Sequence, residues 1–201
     1  MPQISRKSTP KVTNGNVRKK NNWQQSPDYY YAPNPRMVEI DRRRPRPGFR
    51  HILTKNDIYK FLELLPDWKT LAIGLNGIAL WSGSHEWDGL HSPGVVYISA
   101  WDSDLWVDWH TNYFEEHKDI FARLGVESEP TEDGYIRCKW TEPQIRAYQL
   151  LHILLHELGH HHDRMTTRKQ RNSARGETFA EEYARRYEAR IWQDYLKVFD
   201  L

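Results

Sequence analysis

The stretch LLHILLHELGHHHDRM, Leu150–Met165, decides how this chain is read. It sets five histidines, a glutamate and an aspartate within a dozen residues, directly after an apolar run. Inside it His156, Glu157, Leu158, Gly159 and His160 spell HExxH. On a helix, residues four apart point only about 40° from one another and lie about 6 Å apart along the axis, so two imidazoles at this spacing can grip one ion. Glu157 projects to the flank, where a carboxylate does not ligate the ion but can take a proton from a water activated by it. Ten histidines and 14 glutamates in 201 residues give this pattern a chance count of roughly 0.035. Chance is therefore a poor account of it.

The sequence before the motif predicts a helix over Glu142–Asp163. Thr141 can cap it, Pro143 sits in the first turn where a missing N–H costs nothing, and Gln144 completes the spacing of a capping box. Ile145, Ala147, Tyr148, Leu150, Leu151, Ile153, Leu154, Leu155 and Leu158 make it apolar around nearly its whole circumference, which requires cover on several sides. The helix is expected to be central and buried. After the polar loop 163–176, Asn172 or Ser173 can cap a long last helix reaching about Lys197.

A catalytic zinc needs a third protein ligand and one open position. The extended motif HExxHxxGxxH is absent: Asp163 stands at the glycine position and Thr166 at the last histidine. The following helix offers RGETFAEEYA, and two facing helices joined by about a dozen residues can bring Glu177 to the ion. Glu181, one turn later, then accepts the other N–H of a ligating histidine. Asp163 and His152 are further candidates for that supporting role, although His152 also reads as a core histidine bonded to a carbonyl and Asp163 as an exposed helix end. Tyr183 and Tyr187 are candidates for donating to a developing oxyanion, or for core packing. His161 and His162 flare to other faces and read as helix-end residues. His85 and His91 lie in SHEWDGLH, read as a glycine-rich loop.

HELGH followed by ETFAEEYA resembles the gluzincin plan, and in its compactness resembles the ImmA/IrrE-type metallopeptidases, with Glu181 standing where an aspartate is usual. The match covers residues 141–190. The resemblance implies a small zincin-like α+β domain with a short twisted sheet packed on the buried HExxH helix and a long C-terminal helix. It also implies a strand beside the cleft that pairs with extended substrate, sought in GVVYISAW (94–101) or LWVDW (105–109).

Elsewhere the pattern is also mixed. Thr54 with Asp57 predicts the start of a short helix, and Asn112–Leu124 a second one closed by Gly125. Residues 71–83, 94–101, 105–109 and 134–140 read as strands. Nine tryptophans supply much area for a core, and the single cysteine, Cys138, excludes an internal disulfide framework. No run is long and apolar enough to span a membrane and no secretory leader is visible, so a cytoplasmic location is expected.

Charge divides the chain. Residues 1–50 carry 12 Lys or Arg against three acids, and the remainder is net negative. Residues 1–48 read as a basic, disordered or loosely attached arm, a solvated tail or a contact for nucleic acid or another acidic partner, and 49–201 as the catalytic domain. The expectation is one Zn2+ per chain at His156, His160 and Glu177, with Glu157 as base in hydrolysis of a protein or peptide substrate. The alternative is a regulatory or binding module that keeps zinc as a structural element.

Overall fold

The computed structural model describes residues 37–168 and 174–201, and the backbone of two short strands before them. Those strands, β1 (Lys11–Thr13) and β2 (Asn16–Arg18), pair antiparallel with Val12 opposite Val17.

The main sheet joins β3 (Glu39–Arg42), β5 (Gly77–Leu80), β6 (Gly89–Ser92) and β7 (Val95–Ile98) in the order β3-β5-β7-β6. Its first three strands run parallel and β6 returns antiparallel on β7, so β6 forms an edge. All four residues of GIAL in β5 are buried, as expected of a strand covered on both faces. Ile78, Leu80, Val96 and Ile98 belong to the large core, while Ala79 and Val95 pack with Tyr97 on the opposite face. A two-residue pair, β4 (Phe49–Arg50) with β8 (Trp101–Asp102), lies apart from this sheet. A second, antiparallel sheet orders β9 (Trp106–His110), β10 (Glu127–Pro130) and β11 (Tyr135–Lys139) as β10-β11-β9.

Local chemistry sets the helices. In α1 (Lys55–Leu64) and α4 (Glu142–Tyr148), Thr54 with Asp57 and Thr141 with Gln144 close full capping boxes. The short α2 (Trp68–Leu71) leads into β5, and α3 (Thr111–Leu124) stops at Gly125, whose φ of 68° suits a residue without Cβ. From α4 the helix continues through a π-helical segment, Gln149–Leu154, into α5 (Leu155–Thr166). Ile145, Leu150, Leu151, Leu154 and Leu155 are wholly buried. Each such side chain contributes roughly 1.5–3 kcal/mol relative to exposure. The last helix, α6 (Gly176–Phe199), lies against α5 and reaches α1 through Tyr195 and Phe61, with ring centroids 6.3 Å apart.

The chain is thus mixed α and β, with small sheets, a central buried helix and a long C-terminal helix. Three differences from the sequence reading stand out. The boundary expected after residue 48 falls inside the fold, because β3 pairs with β5 and buries Ile40 and Asp41. Residues 71–83 yield only the strand Gly77–Leu80, since Leu71 still belongs to α2. Gly89–Ser92, read as loop, is a strand whose short, glycine-started sequence has no alternation to announce it. Among the described residues no helix is long and apolar enough to cross a membrane.

Candidate metal centre

His156 and His160 stand one turn apart on α5, and Glu177 comes from the first turn of α6. His156 Nε2 is 3.1 Å from both His160 Nε2 and Glu177 Oε2, and His160 Nε2 is 3.3 Å from that same oxygen. Ligands about 2.0–2.1 Å from a tetrahedral ion sit roughly 3.3 Å from one another. The three donor atoms therefore have the mutual spacing of ligands around one zinc ion. The donor set, two imidazoles and a carboxylate, also suits zinc. The Glu177 side chain is 82% exposed while those of His156 and His160 are 19% and 11% exposed, so solvent reaches the centre from the carboxylate side.

Glu181 holds the first histidine. His156 Nδ1 donates to Glu181 Oε2 at 3.3 Å, which directs Nε2 to the shared point, and Arg185 Nε donates to Glu181 Oε1 at 3.1 Å. Burial alone would raise the Glu181 carboxyl, but the His156 bond, the nearby His152 and His117 and the Arg185 charge hold it well below the usual carboxylate range.

Two close approaches shape the centre. A Cβ on Gly159 would lie 2.9 Å from Ala180 Cα and 3.1 Å from its carbonyl oxygen, so the glycine inside HELGH lets α6 come close enough for Glu177 to reach the histidines. A Cβ on Gly89 of β6 would lie 2.6 Å from Glu157 Oε1 and 2.7 Å from Ile153 Cγ2. The edge strand thus passes directly over Glu157. Burial pushes the Glu157 carboxyl up to about 7, with His156 drawing it down and Glu177 pushing it further up.

The histidines and Glu157 lie in the wall of a cleft of about 1320 Å3 that residues of both β6 and β9 also line, with Trp87, Trp101, Trp106 and Trp109 among its lining. Both strands are edges of their sheets. GVVYISAW forms the interior strand β7 and meets the cleft only through its last residues, Ala100 and Trp101, so of the two stretches expected beside the cleft it is LWVDW that lines it as an edge strand.

The remaining candidates divide. His152 is buried near the centre, its Nε2 3.6 Å from Glu181 Oε2. Asp163 supports the centre from a distance: wholly buried, it accepts from Arg175 N at 2.7 Å, Arg175 Nε at 2.8 Å and Gly176 N at 3.3 Å. It caps α6 and so sets where Glu177 begins. Asn172 and Ser173, expected as caps, lie outside the described residues. Tyr183 and Tyr187 do not reach the cleft; their rings stack 4.7 Å apart and Tyr187 donates to Asp67 at 3.2 Å. Their expected oxyanion role does not fit this placement, because the α6 face that carries them is turned toward α5 and Asp67. His161 is buried with Nε2 on the Ile73 carbonyl oxygen at 3.0 Å, and His162 stacks on Tyr183, so neither is a solvated helix end.

Sequence reading passed over His117, Asp88 and Tyr113. Tyr113 donates to Asp88 Oδ2 at 3.0 Å and lies 2.6 Å from the Tyr148 hydroxyl, while burial pushes the Asp88 carboxyl up to about 6. Tyr113 and His117 lie one turn apart on α3, but Asp88 and Tyr148 come from segments far from it in the chain, and no spacing signals their meeting. His91, on β6, stacks on His160 with ring centroids 6.4 Å apart. Comparison with protein-family models, curated proteins and solved structures finds no match to this chain.

Proposed function

We propose that this chain is a zinc-dependent metallopeptidase of gluzincin type with a zincin-like fold, hydrolysing a protein or peptide substrate. The observation that carries the reading is the convergence of His156 Nε2, His160 Nε2 and Glu177 Oε2 within 3.3 Å, beside a buried Glu157 and an open cleft. His156, His160 and Glu177 would hold a zinc ion, with Glu181 fixing the His156 ring, and the ion when bound would supply a Lewis acid for the scissile carbonyl and a water acidic enough to lose its proton near neutral pH.

Glu157 takes the proton from the attacking water at its carboxylate and delivers it to the departing amine nitrogen. The free edge of β6 offers main-chain groups to an extended peptide, in the way a sheet edge accepts another strand. A peptide paired on that edge would run close to Glu157, which lies against the Gly89 backbone. The same edge supports a polypeptide substrate over a compact solute.

Metal analysis and a peptide-library cleavage assay test the reading together. Purified protein should carry zinc and cleave peptides; His156→Ala or His160→Ala should release the ion from this centre. Glu157→Gln leaves the three ligands in place, so zinc should remain while turnover falls by about 10²–10⁴-fold. Cleavage by Glu157→Gln at the parent rate would exclude the mechanism.

A further inference from the structure

A second group of metal-competent donors lies behind the first. His117 on α3, His152 in the π-helical segment and Glu181 on α6 each offer a donor atom within 4.8 Å of the others. We propose that these three residues bind a second divalent transition-metal ion, so that the chain holds a pair of ions sharing the Glu181–His156 link. Beyond the single-centre function proposed above, this site stands on its own donors, while its influence on turnover rests on that reading.

The geometry of each donor fits. His117 Nδ1 is 2.7 Å from the Tyr113 carbonyl oxygen, an acceptor only, so that nitrogen carries the proton and donates it. This leaves Nε2 with a free lone pair, the arrangement in which metal-bound histidines are usually held. His152 Nε2 lies 3.6 Å from Glu181 Oε2, too far for a hydrogen bond but near the roughly 3.3 Å separation of two ligands on one tetrahedral ion. The His117 and His152 rings stand 84° apart with centroids 4.6 Å from one another, as two imidazoles do when they approach one point from different elements. Glu181 uses Oε1 for Arg185, which leaves Oε2 facing the histidines.

Two independent features point the same way. The π-helical turn that carries His152 is a rare departure from regular helix and is often found at functional sites. A small cavity of about 130 Å3 touches His117, His152 and Glu181, which also line the main cleft, and has room for an ion and its waters at roughly 30 Å3 per water. Glu181 Oε2 also accepts from His156 Nδ1, so an ion drawing on this carboxylate changes the basicity of a ligand of the first centre. Occupancy of either position must then alter the affinity of the other, by linkage.

Zinc alone is the probe. The 201-residue chain is stripped with chelator, titrated with Zn2+ against a competing chromophoric chelator, and its metal content measured after dialysis. Two ions per chain are expected for the parent and one for each of His117→Phe, His152→Phe and His160→Ala. Phenylalanine at 117 retains the stack on Tyr113, 4.0 Å between centroids, and at 152 the stack on Tyr148, 5.3 Å, and circular dichroism checks each fold. Loss of an ion in His117→Phe or His152→Phe with another retained in both upholds this site; an ion lost in these two but kept in His160→Ala upholds it while removing the first centre. Unchanged stoichiometry and affinity in a folded His117→Phe overturns it.

Discussion

At Gly89 the fold has room for a hydrogen atom and nothing larger. A methyl group there would meet Glu157 Oε1 at 2.6 Å and Cγ at 2.9 Å, and the side chain that yields is the carboxylate, since Ile153 is locked in the core. Gly89→Ala should therefore leave zinc content unchanged, because it touches none of His156, His160 and Glu177, while turnover falls at least tenfold. Displacements near 1 Å at a catalytic group cost up to about 100-fold. Parent-like turnover in the variant would mean that Glu157 is not the group that matters. Residues of this kind mark the limit of a linear reading. HExxH is legible because one helix carries it, so the spacing fixes the geometry; Gly89 and His117 act through segments tens of residues away, and nothing near them in the chain announces the partner.

Between elements, the decisive contact is α5 against α6. Gly159→Ala would set a methyl 2.9 Å from Ala180 Cα and 3.1 Å from Tyr183 Cβ, and backbone cannot move aside as a flexible side chain does. Overpacking of this sort costs about 1–3 kcal/mol, against a helix-propensity gain of up to about 1 kcal/mol from replacing glycine by alanine. The variant should be modestly destabilised in denaturant, and zinc affinity should fall further than stability, because α6 carries Glu177 away from the histidines. Stability and affinity both at parent level would show that the helices are not held by this approach. Helix starts at Thr54 and Thr141 were legible for a local reason: a capping box closes within four residues. Strand β3 was not, because it is short and takes its hydrogen bonds from β5, far along the chain, and β6 and β10 were not, because each is a four-residue strand without apolar alternation, although its hairpin partner follows closely. The π-helical turn was hidden for another reason, since its sequence is as apolar on every side as that of the helix around it.

Across the whole molecule, the boundary between arm and fold can be tested by truncation. Removing residues 1–36 leaves β3 intact and should preserve the thermal transition, whereas removing 1–48 takes away a strand of the main sheet with Ile40, 3% exposed, and should lower it clearly. Charge supplies the larger consequence. The cleft lining contains Glu86, Asp88, Asp102, Asp104, Asp108, Glu116, Glu157, Glu177, Glu181 and Glu182 against a single Arg185. Asp108 is paired with Arg137 at 2.8 Å, and Glu157, Glu177 and Glu181 belong to the proposed centre. Glu86, Asp102, Asp104, Glu116 and Glu182 still leave the walls negative. A cleft with walls of one sign concentrates ligands of the other. Peptides with Lys or Arg flanking the scissile bond should thus be cleaved with kcat/KM at least tenfold above isosteric acidic peptides, a difference of about 1.4 kcal/mol. The preference should shrink as the Debye length falls from about 10 Å at 0.1 M salt to about 3 Å at 1 M. Measured on the chain lacking residues 1–36, so that its own basic segment does not compete, a preference for acidic peptides, or one indifferent to salt, would show that the cleft does not select by charge.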